Sequence, residues 1–230
     1  MRLDHFIAKS SGISERSAKE LIASGKITVD QKISRNLREE VSRFSSVSLE
    51  GQSVQEPVER HYLMMNKPVG VLSATVDDQH ETVLDLIDLP DKVSLHLAGR
   101  LDRSSSGLVL LTNDGKWSES LTEPDRKVAK VYLVETDRPI PAVAVNNFAE
   151  GFEFSPEGIT TRPAGLELLS DYRARVTLHE GRYHQIKRMF HRIDGIKLRS
   201  LHRVSIGGIA LPDDLAPGEW RRIDPLAITP

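Results

Sequence analysis

The chain has no cysteine among its 230 residues, which excludes disulfides, thiolate zinc sites and a cysteine nucleophile. It contains neither GxGxxG nor GxxxxGK[ST], so nucleotide binding through those phosphate-cradling loops has no support. No apolar run approaches the length of a membrane span, and the start, MRLDHF, lacks the apolar core of a secretion signal. The expectation is a cytoplasmic protein with no membrane partner. An excess of one charge is missing too: 31 Lys and Arg against 33 Asp and Glu leave a net charge of −2, which speaks against a uniformly basic nucleic-acid binder. His179, His184 and His191 match no HExxH-type spacing, and no metal is expected.

What is present is local. Between Gly181 and Arg203 seven basic residues face one acid, Asp194, and clusters rather than totals attract phosphates. The stretch 97–114, LAGRLDRSSSGLVLLTND, sets Arg100, Asp102 and Arg103 between two apolar runs. Flanking strands in a core would fix such a loop while leaving its carboxylate accessible. By spacing alone the same loop reads equally as a surface connection with an ordinary salt bridge. Ser104, Ser105 and Ser106 lack a nucleophile-elbow pattern and read as turn formers.

Periodicity organises the rest. Leu3, Phe6 and Ile7 follow helical spacing, and a second helix starts at the N-cap Ser14 with Ala18, Leu21 and Ile22 inward until Gly25. Strands are expected at 26–29 and 47–49, and the polar stretch 50–60 reads as a linker. Beyond it, strands are expected at 61–65, 93–98, 108–112, 130–135, 175–178, 198–206 and 220–223. Helices are expected at 82–87, 115–121 and 141–150. Residues 151–170 give no clear reading. The clearest helix spans 182–194, with Ile186, Met189, Phe190 and Ile193 at i, i+3, i+4 and i+7. Short strands mixed irregularly with helices, without βαβ rhythm, give an α+β chain on a mostly antiparallel sheet.

Two resemblances sharpen this reading. Arg2-Leu3-Asp4, Ser14-Glu15-Arg16, Ala18, Ile22 and 25–29 (GKITV) resemble the S4 RNA-binding domain, whose members usually continue with an Asn-Gly turn where this chain has Asp30-Gln31. The resemblance implies a small αL-like domain over 1–58, with Arg16 and Lys19 contacting RNA phosphates. From residue 59 to 230 the chain resembles the RsuA branch of the pseudouridine synthases. The matching motifs run in order: Asn66-Lys67-Pro68-x-Gly70, Gly99-Arg100-Leu101-Asp102, Ser106-Gly107-Leu108, 112–115 (TNDG), 130–134 (KVYLV), 180–190 (EGRYHQIKRMF), Leu201-His202-Arg203, 206–209 (IGGI) and 215–219 (LAPGE).

That resemblance implies a catalytic domain on a mostly antiparallel mixed sheet flanked by helices. It also implies an isomerase that turns a uridine of ribosomal RNA into pseudouridine without cofactor or metal. Carried onto this sequence, Asp102 is the nucleophile, kept ionised by the nearby cation Lys187. Tyr132 stacks on the uracil near C5, and Ile186 and Leu178 form an apolar wall. Arg100 touches the RNA where the base has swung out, and Arg188 of the basic cluster is a further RNA contact. The length, the start and the tail resemble the small-subunit members, which implies uridine 516 of 16S rRNA, free or in a small-subunit assembly intermediate, as substrate of a monomer. The alternatives are a 23S rRNA uridine, or an S4-type ribosome-assembly protein without catalysis.

Overall fold

The first helix, α1 (Leu3–Ser11), ends on Gly12, whose φ of 64° supplies a left-handed turn. The second, α2 (Glu15–Ala23), starts on Ser14, whose hydroxyl accepts the Ser17 amide at 3.1 Å. Leu3 and Ile7 of one helix and Ala18 and Ile22 of the other share a core with Ile27, Val29 and Val47. Those last residues lie on a sheet of β1 (Ile27–Val29), β2 (Lys32–Ile33), β3 (Val47–Leu49) and β4 (Gln52–Gln55), ordered β2-β1-β3-β4. The β1–β2 turn has no glycine, yet Asp30 and Gln31 adopt φ of 48° and 66°, the geometry a two-residue hairpin needs. The Asp30 carboxylate accepts the Ser46 amide at 2.9 Å and so helps to hold the turn. The expected linker is therefore partly strand: Gln52–Gln55 pairs with β3 at the sheet edge. A polar edge strand shows no apolar period, which is why its sequence reads as a loop.

The structure, a computed structural model, describes residues 1–154 and 157–225, and the chain divides into Met1–Arg60 and His61–Pro230. Among the described residues no helix is long and apolar enough to cross a membrane. The second unit comprises β5 (Tyr62–Lys67), β6 (His96–Leu97), β7 (Ser106–Thr112), α3 (Gly115–Thr122), β8 (Lys130–Thr136), α4 (Ala144–Glu150), β9 (Glu153–Phe154) and β10 (Ile159–Thr160). It continues with β11 (Gly165–Ser170), β12 (Arg173–Leu178), α5 (Gln185–His191), β13 (Leu198–Ile206), β14 (Ile209–Ala210) and β15 (Trp220–Arg222).

Its main sheet runs β11-β12-β8-β13-β7-β5-β15, and within that order only β13 and β7 are parallel neighbours. The fold is thus α+β on a mostly antiparallel sheet. Strands β5 and β7 are buried on both faces, which explains their unbroken apolar runs. Leu63, Met65, Val109 and Leu111 point to one core with Phe148 of α4 and Ile186, Met189 and Phe190 of α5. Met64, Leu108 and Leu110 point to the other, with Trp117 and Leu121 of α3. The Phe148 and Phe190 rings meet at 5.0 Å and tie α4 to α5.

Several expected elements change form. Residues 83–86 are turns rather than a helix: Thr82 bridges to Leu72, and the Asp85 and Ile87 amides each reach back three residues, to Thr82 and Leu84. Residues 93–98 divide into a 3₁₀ turn, Lys92–Ser94, and the two-residue β6. The helix expected over 182–194 is confined to Gln185–His191: His184 takes a left-handed φ of 49°, and the Arg182 amide donates to Gln185 Oε1 at 3.0 Å. Residues 151–170 hold the β9–β10 hairpin and the whole of β11; positions 155 and 156 lie outside the described residues.

Candidate active site

The loop between β6 and β7 is held through its backbone at successive residues. The Leu101 amide donates to Ser73 Oγ at 3.0 Å, the Gly70 amide donates to the Arg103 carbonyl at 2.8 Å, and the Ser105 amide donates to the Asp102 carbonyl at 3.0 Å. From below, the ammonium of Lys67, which has no exposed surface, donates to the carbonyls of Ser105 and Pro68 at 2.8 Å each. Burial lowers the Lys67 pKa to about 8, and the negative charge of Asp102 opposes that shift. Arg203, 1% exposed, donates to the carbonyls of Leu108 at 2.7 Å and Arg100 at 3.3 Å. A loop tethered by this many donors presents its side chains in one geometry.

The side chain so presented is Asp102. Its Oδ2 lies 2.6 Å from Lys187 Nζ, and its Oδ1 lies 3.4 Å from His184 Nε2. Lys187 also donates to Ser104 Oγ at 2.9 Å, so one of the turn serines has a partner inside the site. The left-handed backbone at His184 turns its ring toward Asp102 before α5 begins, and α5 then carries Ile186 and Lys187 to the same place. The helix start is fixed by Glu180, which accepts Gln185 Nε2 at 2.8 Å and Arg182 Nε at 3.0 Å.

A cavity of about 780 Å³ opens beside Asp102, and Arg100, Tyr132, Leu178, Ile186 and Lys187 line it. That volume lies in the range of small-molecule sites. Tyr132 on β8 faces Val176 of β12 and Arg203 of β13 and is 7% exposed. The apolar wall of Leu178 and Ile186, a buried aromatic ring and one carboxylate gripped by a cation can hold a planar base against a nucleophile.

The six sequence-selected residues Arg100, Asp102, Tyr132, Leu178, Ile186 and Lys187 meet in this cavity. Arg188 does not: it pairs with Glu157 at 2.7 Å and stacks over the Phe154 ring at 3.7 Å. Arg16 and Lys19 lie on α2 of the first unit, beside Glu20 at 3.3 Å and Glu15 at 3.9 Å. Sequence reasoning assigned no role to His184, Lys67, Lys130 or Arg203. His184 shares a four-residue spacing with Arg188 and Arg192 that suggests one helical face, but its left-handed backbone places it ahead of α5, beside Asp102. Lys130 could have been found, because it stands two residues before Tyr132 and shares its strand face.

The fold and this site define an enzyme class. The chain belongs to the RNA pseudouridylate synthase family, whose model matches residues 61–192. It is an isomerase of uridine in RNA. It is 47% identical over 224 residues to the ribosomal small subunit pseudouridine synthase A of Pseudomonas aeruginosa, covering 97% of each chain. It is 42% identical over 221 residues to the protein of the same name from Escherichia coli (strain K12), covering 96% of this chain and 95% of the relative. A crystal structure of a pseudouridylate synthase superposes with a TM-score of 0.70 at 36% identity, covering 97% of this chain and 96% of that one.

Proposed function

We propose that this protein converts one uridine of small-subunit ribosomal RNA, position 516 of the 16S molecule, to pseudouridine, with Asp102 as the attacking carboxylate. The observation that carries the assignment of roles is the 2.6 Å pair between Lys187 and Asp102 in the cavity that Tyr132 also lines. The small-subunit target is supported by nearly full-length similarity to proteins named for that subunit.

The target atoms are unreachable in a stacked helix, so the nucleotide swings out of the RNA into the cavity. Asp102 attacks, the C1′–N1 bond breaks, the uracil turns within the pocket, and C5 joins C1′ while its proton moves to N1. Atoms and electrons balance without a redox partner. Lys187 holds Asp102 in the attacking geometry by a charge-assisted hydrogen bond. Tyr132 stacks on the base and stands near C5, and Leu178 and Ile186 keep water from the loosened uracil. Arg100, exposed at the mouth, meets the RNA strand. The first unit acts as an S4-type RNA-binding domain, with Arg16 and Lys19 on phosphates. One chain supplies every side chain of the site, consistent with a monomeric enzyme.

The test is tritium release from 5-tritiated uridine in 16S rRNA or in small-subunit assembly intermediates, together with pseudouridine mapping in a strain lacking the protein. Loss of a single modification at position 516 is the expected result. A loss confined to 23S rRNA overturns the target, and wild-type protein that releases no tritium from any ribosomal RNA overturns the reaction.

A further inference from the structure

The lining of the cavity includes two cations that nothing in the reaction so far uses. On β8, Lys130 and Tyr132 lie two residues apart and project from the same sheet face. On β13, Arg203 stands directly across from Tyr132. All three line the cavity that contains Asp102.

Among the described residues, neither Lys130 nor Arg203 has a carboxylate partner. The acids of the cavity are committed elsewhere: Asp102 to Lys187 and His184, Glu180 to Arg182 and Gln185, and Glu123 to Arg126. Lys130 donates to the Val128 carbonyl at 3.2 Å. Arg203 spends Nε and Nη1 on carbonyls, and its Nη2 is buried without a hydrogen-bond partner. Two like charges on a shielded wall repel one another, and a buried donor without a partner is costly. Burial first, and Arg203 second, lower the Lys130 pKa. Such an arrangement is stabilised when negative charge enters the cavity.

The reaction produces that charge. Whether Asp102 adds to C6 of the base or to C1′ of the ribose, the electron pair of the breaking bond passes into the uracil ring and rests on its carbonyl oxygens. Resting on the proposed uridine isomerisation, we propose that Lys130 and Arg203 form the anion-stabilising site for the detached uracil, with Lys130 the catalytic residue that contacts a uracil oxygen. The charge leaves this site again when the ring's electron pair forms the C5–C1′ bond and the Asp102 carboxylate is released, and transfer of the C5 proton to N1 leaves the ring neutral. A backbone phosphate fits the position less well, because Arg203 is 1% exposed and a flat base enters a narrow buried recess more readily than a phosphodiester strand does. Preorganised cations at a point where charge develops are worth orders of magnitude in rate and little in ground-state affinity.

The experiment compares full-length wild type, Lys130→Met and Lys130→Arg on small-subunit RNA carrying either uridine or 5-fluorouridine at the target. The dissociation constant and the single-turnover rate of C1′–N1 scission are measured after nuclease digestion and chromatography. Lys130→Met is expected to lose about a hundredfold in rate, with RNA affinity unchanged and Lys130→Arg restoring part of the rate. Its deficit shrinks with 5-fluorouridine, whose base leaves as a better stabilised anion. An equal deficit on both bases assigns Lys130 a structural role and overturns the proposal. Weakened affinity with a shallower salt dependence and an unchanged rate assigns it to phosphate and overturns it too, as does an unchanged rate on uridine. Wild type that makes no pseudouridine would instead remove the reaction on which the proposal stands.

Discussion

Gly107 and Arg203 touch where β7 and β13 run parallel: a Cβ on Gly107 would stand 2.3 Å from the Arg203 carbonyl oxygen and 2.7 Å from its amide nitrogen. The φ of Gly107 is also left-handed, at +102°. Both obstacles are backbone, which cannot swing aside as a side chain can. Gly107→Ala is therefore expected to destabilise the protein by about 3 kcal/mol, combining overpacking with left-handed strain. Gly195→Ala is the control, since Gly195 has a φ of +67° and open space around it; it should lose only about 1 kcal/mol. Urea unfolding midpoints of the two variants decide the matter, and equal losses would refute the close-approach argument.

Removing either partner of the Asp102–Lys187 pair should stop turnover while the fold survives, because both side chains are 28% exposed and neither is part of an apolar core. Asp102→Asn is expected to lose about 10⁴ in single-turnover rate, as removal of an attacking group does. Lys187→Met is expected to lose about 10²–10³, the scale of a lost charge-assisted contact at a reacting group. Tritium release reads the rates and circular dichroism reads the fold. A Lys187→Met variant that turns over near the wild-type rate removes Lys187 from the site.

Lys67 gives the protein a distinctive response to alkaline pH. Its folded-state pKa of about 8 lies below the ordinary 10.5, so between those values the unfolded chain binds more protons than the folded one. Stability from this group therefore rises as pH increases through that window, by up to about 3 kcal/mol. Lys67→Met removes the buried charge and with it this slope. Denaturant midpoints from pH 7.5 to 10 should thus climb in wild type relative to the variant, and parallel curves would refute the buried-charge account.

The first unit makes a claim on salt dependence. If Arg16 and Lys19 of α2 lie on phosphates, the double Ala variant binds small-subunit RNA more weakly, and the slope of log affinity against log salt becomes shallower by about 1.5. Filter binding across a salt series measures it. An unchanged slope places the RNA contacts of this unit elsewhere.

Much of the fold was legible where one face of an element had to be buried. The runs at 61–65, 108–112, 130–135 and 198–206 all became strands, because β5 and β7 are buried on both faces and β8 and β13 pair beside them. Helix positions failed where a residue was taken up by a strand bridge, as Thr82 is with Leu72, or where a single residue such as His184 turned left-handed. Within the site, the motif order led to Asp102, Tyr132 and Lys187, and the cavity gathers all three. Arg188 lies outside the cavity: cationic spacing shows that a charge is present without showing that an acid such as Glu157 stands beside it. Lys67, Lys130 and Arg203 stayed without roles because sequence does not reveal burial, and their character comes from being shielded cations.

The tethers of the Asp102 loop also order events in time. Lys187 and Arg203 reach back across 85 and 103 residues to Asp102 and Arg100, so a growing chain carries Asp102 long before these two side chains. Until α5 and β13 are in place, the Asp102 loop has only its tethers to Lys67, Gly70 and Ser73. The full set of contacts around Asp102 thus closes only with the last central strand, so the geometry of the loop is a property of the whole sheet and not of its own segment.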